Sequence, residues 1–240
     1  MIRLIVNWAP FVEGSEGYAR QQRGWRYLSR LTITEPDVVS STVVCPVDPL
    51  SPHDCSVLPR CVGRRNLPYI KDMLASVRRE AATDDWIGFL NSDAVPGPQM
   101  ISRVRKTAKD VVLVNVTDIG GIKAARLRPV GGWSIDGMLI RASLWDEIAQ
   151  VFPEVVLGAA LWDTVAVMWF AEQKIKAEWL AKRECLHHRH RSTAWMKERG
   201  QRGDGYRTRD ESYKINLLAL NTVGGMSRIK SFFGKSKRTY

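Results

Sequence analysis

Asn91, Ser92 and Asp93 follow directly on an apolar run, Trp86-Ile87-Gly88-Phe89-Leu90, and lead into Ala94-Val95-Pro96-Gly97-Pro98. Carboxylate and amide oxygens are the ligands that Mg²⁺ and Mn²⁺ take, and such ions commonly bridge one or two carboxylates to substrate phosphates. A second group with ligand chemistry is Leu186-His187-His188-Arg189-His190, which holds three of the four histidines of the chain. Imidazole is an acceptable ligand for Mn²⁺, and on a strand His188 and His190 share one side while His187 takes the other. Asp136 and Asp163 are carboxylates that can accept a proton. Arg64 and Arg65, ahead of the helix that carries Asp72, can pair with phosphate. Each feature also has an ordinary reading: an Asx-type turn for 91–93, a basic surface strand for the histidines, a solvated turn for Arg64-Arg65.

The elements that would position these residues follow from patterning. Residues 86–90 are short, apolar and bounded by turn formers, as in a buried strand. Residues 3–8, the β-branched 37–44 and the almost wholly apolar 111–116 read the same way. Helices are expected at 18–31 with Trp25 and Leu28 at helical spacing, and from 66 onward with Pro68 in the first turn. Tyr69, Met73, Leu74 and Val77 form the apolar stripe of that second helix. Further helices are expected at 98–107, 142–151, from about 157 to 171, and around 215–220. Residues 45–59, rich in Pro, Asp and Ser, read as a loop. Strands separated by helices imply one mainly parallel mixed sheet covered on both faces, with ligands at the carboxyl ends of its strands.

The chain has 240 residues, 45% of them hydrophobic, with nine tryptophans, which excludes a disordered protein. One α/β domain over residues 1–195 with a basic extension over 196–240 fits that length. No apolar run approaches the roughly 18 residues of a membrane span, and the apolar start is too short for a signal peptide. A cytoplasmic location, or the host cytoplasm for a viral protein, is the expectation. Cys45, Cys55, Cys61 and Cys185 show no redox-pair or common zinc spacing and read as free thiols. The net charge of +11 is segregated: residues 181–240 hold 15 Lys+Arg and 5 Asp+Glu, net +10, and residues 1–180 hold the other 21 and 20, net +1. Such a region is a footprint for a polyanion, nucleic acid or an anionic membrane surface, although a solvated face is the ordinary alternative. The tail around Phe232-Phe233 suits a membrane surface, base stacking or a frayed end.

The segment 86–93 resembles the metal-binding Asp-x-Asp turn of GT-A-fold glycosyltransferases, which use nucleotide sugars. Asn91 stands where Asp is usual, which removes one charge. Gly131-Gly132-Trp133-Ser134-Ile135-Asp136-Gly137 resembles the acceptor-side loop of that family, and Leu161-Trp162-Asp163-Thr164 resembles its helix start whose acidic residue faces the acceptor. The histidine cluster is similar to the C-terminal histidine brought to the metal after the last strand. These short motifs span about residues 1–195. The resemblance implies a GT-A-like domain with Mn²⁺ or Mg²⁺ at Asp93 and at His188 or His190. It implies a nucleotide-sugar donor, most often a UDP-sugar, near Arg64, Arg65, Asp72, Asn91 and Asp93, and a base at Asp163 or else Asp136.

The basic C-terminal region suits DNA as acceptor. Small enzymes of this broad kind in bacteriophages glycosylate hydroxymethylated pyrimidines. A cell-envelope glycan or lipid is the rival acceptor. Two other classes stand beside this one. Asp93 with Asp163 resembles the carboxylate pair of a glycoside hydrolase, which needs no metal turn. A non-enzymatic nucleic-acid-binding α/β module would do its work through residues 181–240, but no recognisable nucleic-acid motif is present.

Overall fold

A computed structural model of the chain describes residues 1–8, 11, 13–44, 55–63, 66–115, 117–119, 127–129, 135–159, 161–180, 185–188 and 211–225. In chain order the elements are β1 (Ile2–Trp8), α1 (Glu16–Thr34), β2 (Val38–Val44), β3 (Ser56–Val57), β4 (Cys61–Val62), β5 (Leu67–Pro68), α2 (Ile70–Arg78), β6 (Trp86–Leu90), β7 (Ala94–Pro96), α3 (Pro98–Lys106), β8 (Val111–Val114), β9 (Thr117–Ile119), β10 (Leu127–Pro129), β11 (Gly137–Arg141), α4 (Ala142–Ile148), α5 (Trp162–Glu172), β12 (Ala177–Leu180), β13 (Cys185–His188) and α6 (Glu211–Thr222).

A seven-stranded sheet in the order β12-β8-β11-β6-β1-β2-β3 forms the centre. Only β11 runs against its neighbours; the other pairings are parallel. The expected α/β class, with a mainly parallel mixed sheet, is thus the observed one. One face of the sheet buries Leu4, Val6, Leu90 and Val112 under Leu28 and Leu31 of α1 and Met100, Ile101 and Val104 of α3. The other buries Ile5, Ile87, Phe89 and Leu113 under α2, α4 and α5. Every residue of β6 is buried, so its apolar run carries no alternation, as a central strand requires. A four-stranded sheet, β10-β9-β13-β7, stands beside the first.

Three expectations shift. Pro68 does not open a helix. It lies in the β4–β5 hairpin, and α2 starts at Ile70 after Tyr69. Proline pushes the residue before it out of the helical region, which keeps Leu67 extended, and Asn66 turns the chain with φ of 51°. The loop expected at 45–59 contains β3, paired with the end of β2; residues 45–54 lie outside the described residues. In α1, Leu28 is buried but Trp25 only half-buried. The face turned to the sheet is Gly17, Arg20, Gln21, Gly24, Leu28 and Leu31, at helical spacing.

Helix α6, within the basic C-terminal quarter, joins the main core. Ala219, Leu220 and Val223 are buried in it, and the buried Asn216 amide donates to the Val156 carbonyl (3.0 Å) and accepts from the Val156 N–H (2.8 Å). Cys55 is half-buried and Cys61 exposed.

At the edge where β1 and β6 begin, Asp85 is only 5% exposed. It accepts from the Met1 ammonium (2.7 Å), Arg3 Nε (2.9 Å) and the Ala82 N–H (3.0 Å). Burial alone would raise its pKa, but the ammonium, the guanidinium and the amide outweigh that and hold the carboxyl below the ordinary range. A depressed carboxyl stabilises the fold above its unfolded pKa of about 3.9, and that stability is lost as pH falls through the folded value. Asp85→Asn is therefore expected to cost about 2–3 kcal/mol at neutral pH. The gap between the melting curves of variant and parent should close as pH drops below about 4.

Candidate active site

Asp93, Asp136 and Asp163 lie at one edge of the central sheet, where β1, β6 and β8 end. There β6 ends at Leu90. The Ala94 N–H donates to the Asn91 carbonyl (3.0 Å) and closes a turn with Ser92 and Asp93 at its centre. The antiparallel β11 begins at this same edge, because Gly137 pairs with Leu90. Asp136 therefore sits one rung further, opposite Asn91. The Asn91 N–H donates to the Asp136 carbonyl (2.7 Å), and Asn91 Nδ2 donates to Asp136 Oδ1 (2.7 Å). On its other side the Asp136 N–H donates to the Val114 carbonyl at the end of β8 (2.7 Å). A side chain on Gly137 would meet Leu90 Cδ2 at 2.5 Å and Phe89 O at 2.7 Å, so glycine there permits the close strand approach.

Helix α5 leads to β12, which starts at the opposite edge in register with Val111, so α5 begins at the candidate edge. Trp162 packs its ring 5.7 Å from Phe89 of β6 and ties that helix start to the strand. Asp163 follows in the first turn, where the positive end of the helix favours a carboxylate. Its Oδ1 accepts from the Thr164 N–H (2.8 Å). Leu161, just before, holds φ of 75°, a left-handed conformation that costs a branched residue about 1–3 kcal/mol and recurs at functional sites.

Strand β13 reaches the same turn. It pairs antiparallel with β7, Cys185 with Pro96, Leu186 with Val95 and His187 with Ala94. The next step of that register sets His188 opposite Asp93. The side chains of His187 and His188 lie outside the described residues, as do His190, Arg64 and Arg65. Helix α2 also starts at this edge, and its Asp72 is engaged by Arg60 through Nε (2.8 Å) and Nη2 (2.7 Å). Arg60 stacks on the Tyr69 ring, 4.4 Å from the ring centre. The partner seen for Asp72 is thus Arg60.

Sequence patterning missed the contribution of α1. The helix crosses the 91–94 turn so closely that a Cβ on Gly24 would lie 2.4 Å from Ser92 O and 3.3 Å from Asp93 Cα. One turn earlier on that face, Arg20 (4% exposed) and Gln21 (0%) are buried polar side chains beside the turn. At the end of β1, Trp8 is 2% exposed, and its Nε1 and Asn7 Oδ1 are buried without a hydrogen-bond partner among the described residues. Buried polar groups are usually hydrogen-bonded in native proteins. The available signal was the polar pair Arg20-Gln21 between two glycines at helical spacing.

The carboxylates of Asp93 and Asp136 are oxygen donors of the kind that Mn²⁺ and Mg²⁺ take. Among the described residues no three His, Cys, Asp or Glu side chains converge on one point. A cavity of about 310 Å³ lies elsewhere, between α2 and β2–β3, with Arg3, Ser41, Val43, Ser76 and Arg79 in its wall, and contains none of these acidic residues.

The sequence matches no protein-family model and no curated protein. Three solved structures overlap with the fold at low identity. Residues 1–349 of TarS from S. aureus share 12% identity over 96% of this chain and 74% of that one, with a TM-score of 0.49. The catalytic domain of Drosophila β1,4-galactosyltransferase 7, in complex with xylobiose, shares 10% over 88% and 74%, with a TM-score of 0.47. The 2-C-methyl-D-erythritol 4-phosphate cytidylyltransferase of Francisella tularensis shares 9% over 78% and 94%, with a TM-score of 0.43.

Proposed function

We propose that this protein is a metal-dependent glycosyltransferase that moves a sugar from a nucleotide-sugar donor, a UDP-sugar in first place, to a hydroxyl acceptor. The observation that carries the reading is the meeting of the Asn91–Asp93 turn, Asp136 and the start of α5 with Asp163 at the carboxyl edge of a mainly parallel sheet. Ligands of α/β proteins bind at that edge.

Transfer breaks the bond between the anomeric carbon and the donor diphosphate while the acceptor oxygen bonds to that carbon. Negative charge develops on the departing phosphate oxygen. A divalent ion, when bound, supplies the Lewis acid for that charge. Asp93 and His188 would hold it, with Arg64 and Arg65 pairing with phosphate. On the acceptor side, Asp163 takes the hydroxyl proton in an inverting transfer, with Asp136 the second candidate.

For the acceptor, we favour hydroxymethylated pyrimidine in DNA over an envelope glycan or lipid, on the net charge of +10 in residues 181–240. The chain then works in the cytoplasm, with the basic residues of 196–240, around the core-packed α6, as the DNA-binding part. A donor screen by thermal shift, with and without Mn²⁺, tests the activity, because specific binding raises the midpoint by mass action. Release of a sugar 1-phosphate instead of a nucleoside diphosphate would replace glycosyl transfer by nucleotidyl transfer. No shift and no hydrolysis with any common donor would leave only the binding-module reading.

Transfer of labelled sugar to hydroxymethylated but not to unmodified DNA tests the acceptor; transfer to neither removes it. DNA binding should weaken steeply with salt. Neutralising Arg202, Arg207 and Arg209 together should flatten the log–log slope by about one unit for each phosphate that is no longer neutralised, while sparing donor hydrolysis.

A further inference from the structure

We propose that Asn216 of α6 is a positioning residue for Asp163: its carboxamide fixes the segment that leads into the start of α5. The inference rests on the glycosyltransferase reading with Asp163 as base, and it adds a residue of the C-terminal quarter to the acceptor side. Residues 155–157 run along the β4–β5 hairpin and the start of α2. The Leu157 N–H donates to the Pro68 carbonyl (2.9 Å), the Ile70 N–H donates to the Val155 carbonyl (2.9 Å), and Val156 stands opposite Tyr69 in antiparallel sense. In that pattern the N–H and C=O of Val156 itself point away from the hairpin. Val156 is fully buried, so both groups need partners inside the protein.

One side chain supplies both. Asn216 Nδ2 donates to the Val156 carbonyl at 3.0 Å, and its Oδ1 accepts from the Val156 N–H at 2.8 Å. A carboxamide carries the donor and the acceptor of a peptide group, so Asn216 takes the place of a neighbouring strand. Asparagine is a poor residue for a helix interior, yet Asn216 lies in the middle of α6 and is 0% exposed. The segment it holds runs into the candidate site. From Val156 the chain passes the buried Leu157 and Ala159, turns through Gly158 (φ 77°) and Leu161 (φ 75°), and enters α5 at Trp162. A left-handed leucine persists only where the surrounding structure fixes it. The hairpin and Asn216 fix the chain ahead of it, and Trp162 against Phe89 fixes it behind. Ala219, Leu220 and Val223 of α6 share a core with Val165, Ala166 and Trp169 of α5, so α6 braces the helix as well as its entry.

The test is a double-mutant cycle on UDP release from a UDP-sugar, with hydroxymethylated DNA or water as acceptor. The full chain is compared with Asn216→Ala, Asp163→Asn, the two together, and Asp85→Asn. Asn216→Ala is expected to lower kcat about 10- to 100-fold, the effect of a small misplacement of a reacting group, with the donor KM unchanged. In the Asp163→Asn background the same change should cost less than about threefold, because the group it positions no longer takes the proton. Hydrogen exchange of the Val165 N–H, which donates to the Leu161 carbonyl (2.9 Å), should quicken in Asn216→Ala and stay at the parent rate in Asp163→Asn. Asp85→Asn, which loosens the opposite edge, should keep the parent kcat and so separates positioning from general destabilisation. If Asn216→Ala does not fold, Asn216→Asp decides, since it keeps the shape and the acceptor and removes the donor to the Val156 carbonyl. Unchanged exchange at Val165, or a kcat loss of equal size in both backgrounds, overturns the inference while the glycosyltransferase reading stands. Full activity in Asp163→Asn removes the base and the inference with it. A parent chain that releases no UDP with either acceptor overturns both readings.

Discussion

Asp93→Ala is expected to abolish Mn²⁺-dependent donor binding and transfer while leaving the melting temperature close to that of the parent. The turn that carries Asp93 is closed by backbone atoms, the Ala94 N–H donating to the Asn91 carbonyl at 3.0 Å. It is braced from behind by α1, whose Gly24 sits against Ser92 and Asp93. Neither support uses the Asp93 carboxylate, and the residue is half-buried at the sheet edge. Charge stabilisation by a bound divalent ion is worth several kcal/mol, so a loss of about 4 kcal/mol would lower the rate about 1,000-fold. Thermal shift with a UDP-sugar, with and without Mn²⁺, reads binding, and labelled-sugar transfer reads turnover. Ser92→Ala, in the same turn but without a ligand charge, should stay close to the parent in both. Undiminished activity in Asp93→Ala would remove Asp93 from the metal site.

The elements around this turn were legible to different degrees. Strand β6 was readable to the residue because it is buried on both faces, so an uninterrupted apolar run and its turn formers state the bounds. Strand β2 and helices α2 and α3 were readable in kind, because their buried faces carry apolar side chains at the right period, and α5 because its run is apolar throughout; the buried face of α6 mixes Ser212 and Asn216 with Ala219 and Leu220. The buried face of α1 was not, since Gly17, Arg20, Gln21 and Gly24 occupy it and give no hydrophobic signal. Nor was the Asn91–Asp136 pair. These residues are 45 apart in sequence and meet only because β11 enters the sheet antiparallel, and no local pattern specifies register between distant strands. Reading Asn91 within its own turn makes it a missing charge. Reading it across the ladder makes it a donor to a carboxylate.

Asp163→Asn is expected to retain donor and Mn²⁺ binding and to lose transfer by about 100- to 10,000-fold, the contribution of a positioned general base. The substitution keeps the shape and the local bond, because an asparagine Oδ1 can still accept from the Thr164 N–H now 2.8 Å from the Asp163 oxygen. Only the capacity to take a proton disappears. The start of α5 is held independently, by Trp162 against Phe89, so donor-side geometry should not follow the change. Should Asp163→Asn lose donor binding yet transfer normally at saturating donor, Asp163 would belong to the donor side. The strained Leu161 backbone, left-handed at φ of 75° and two residues before it, would then serve to shape the donor pocket instead of presenting a base.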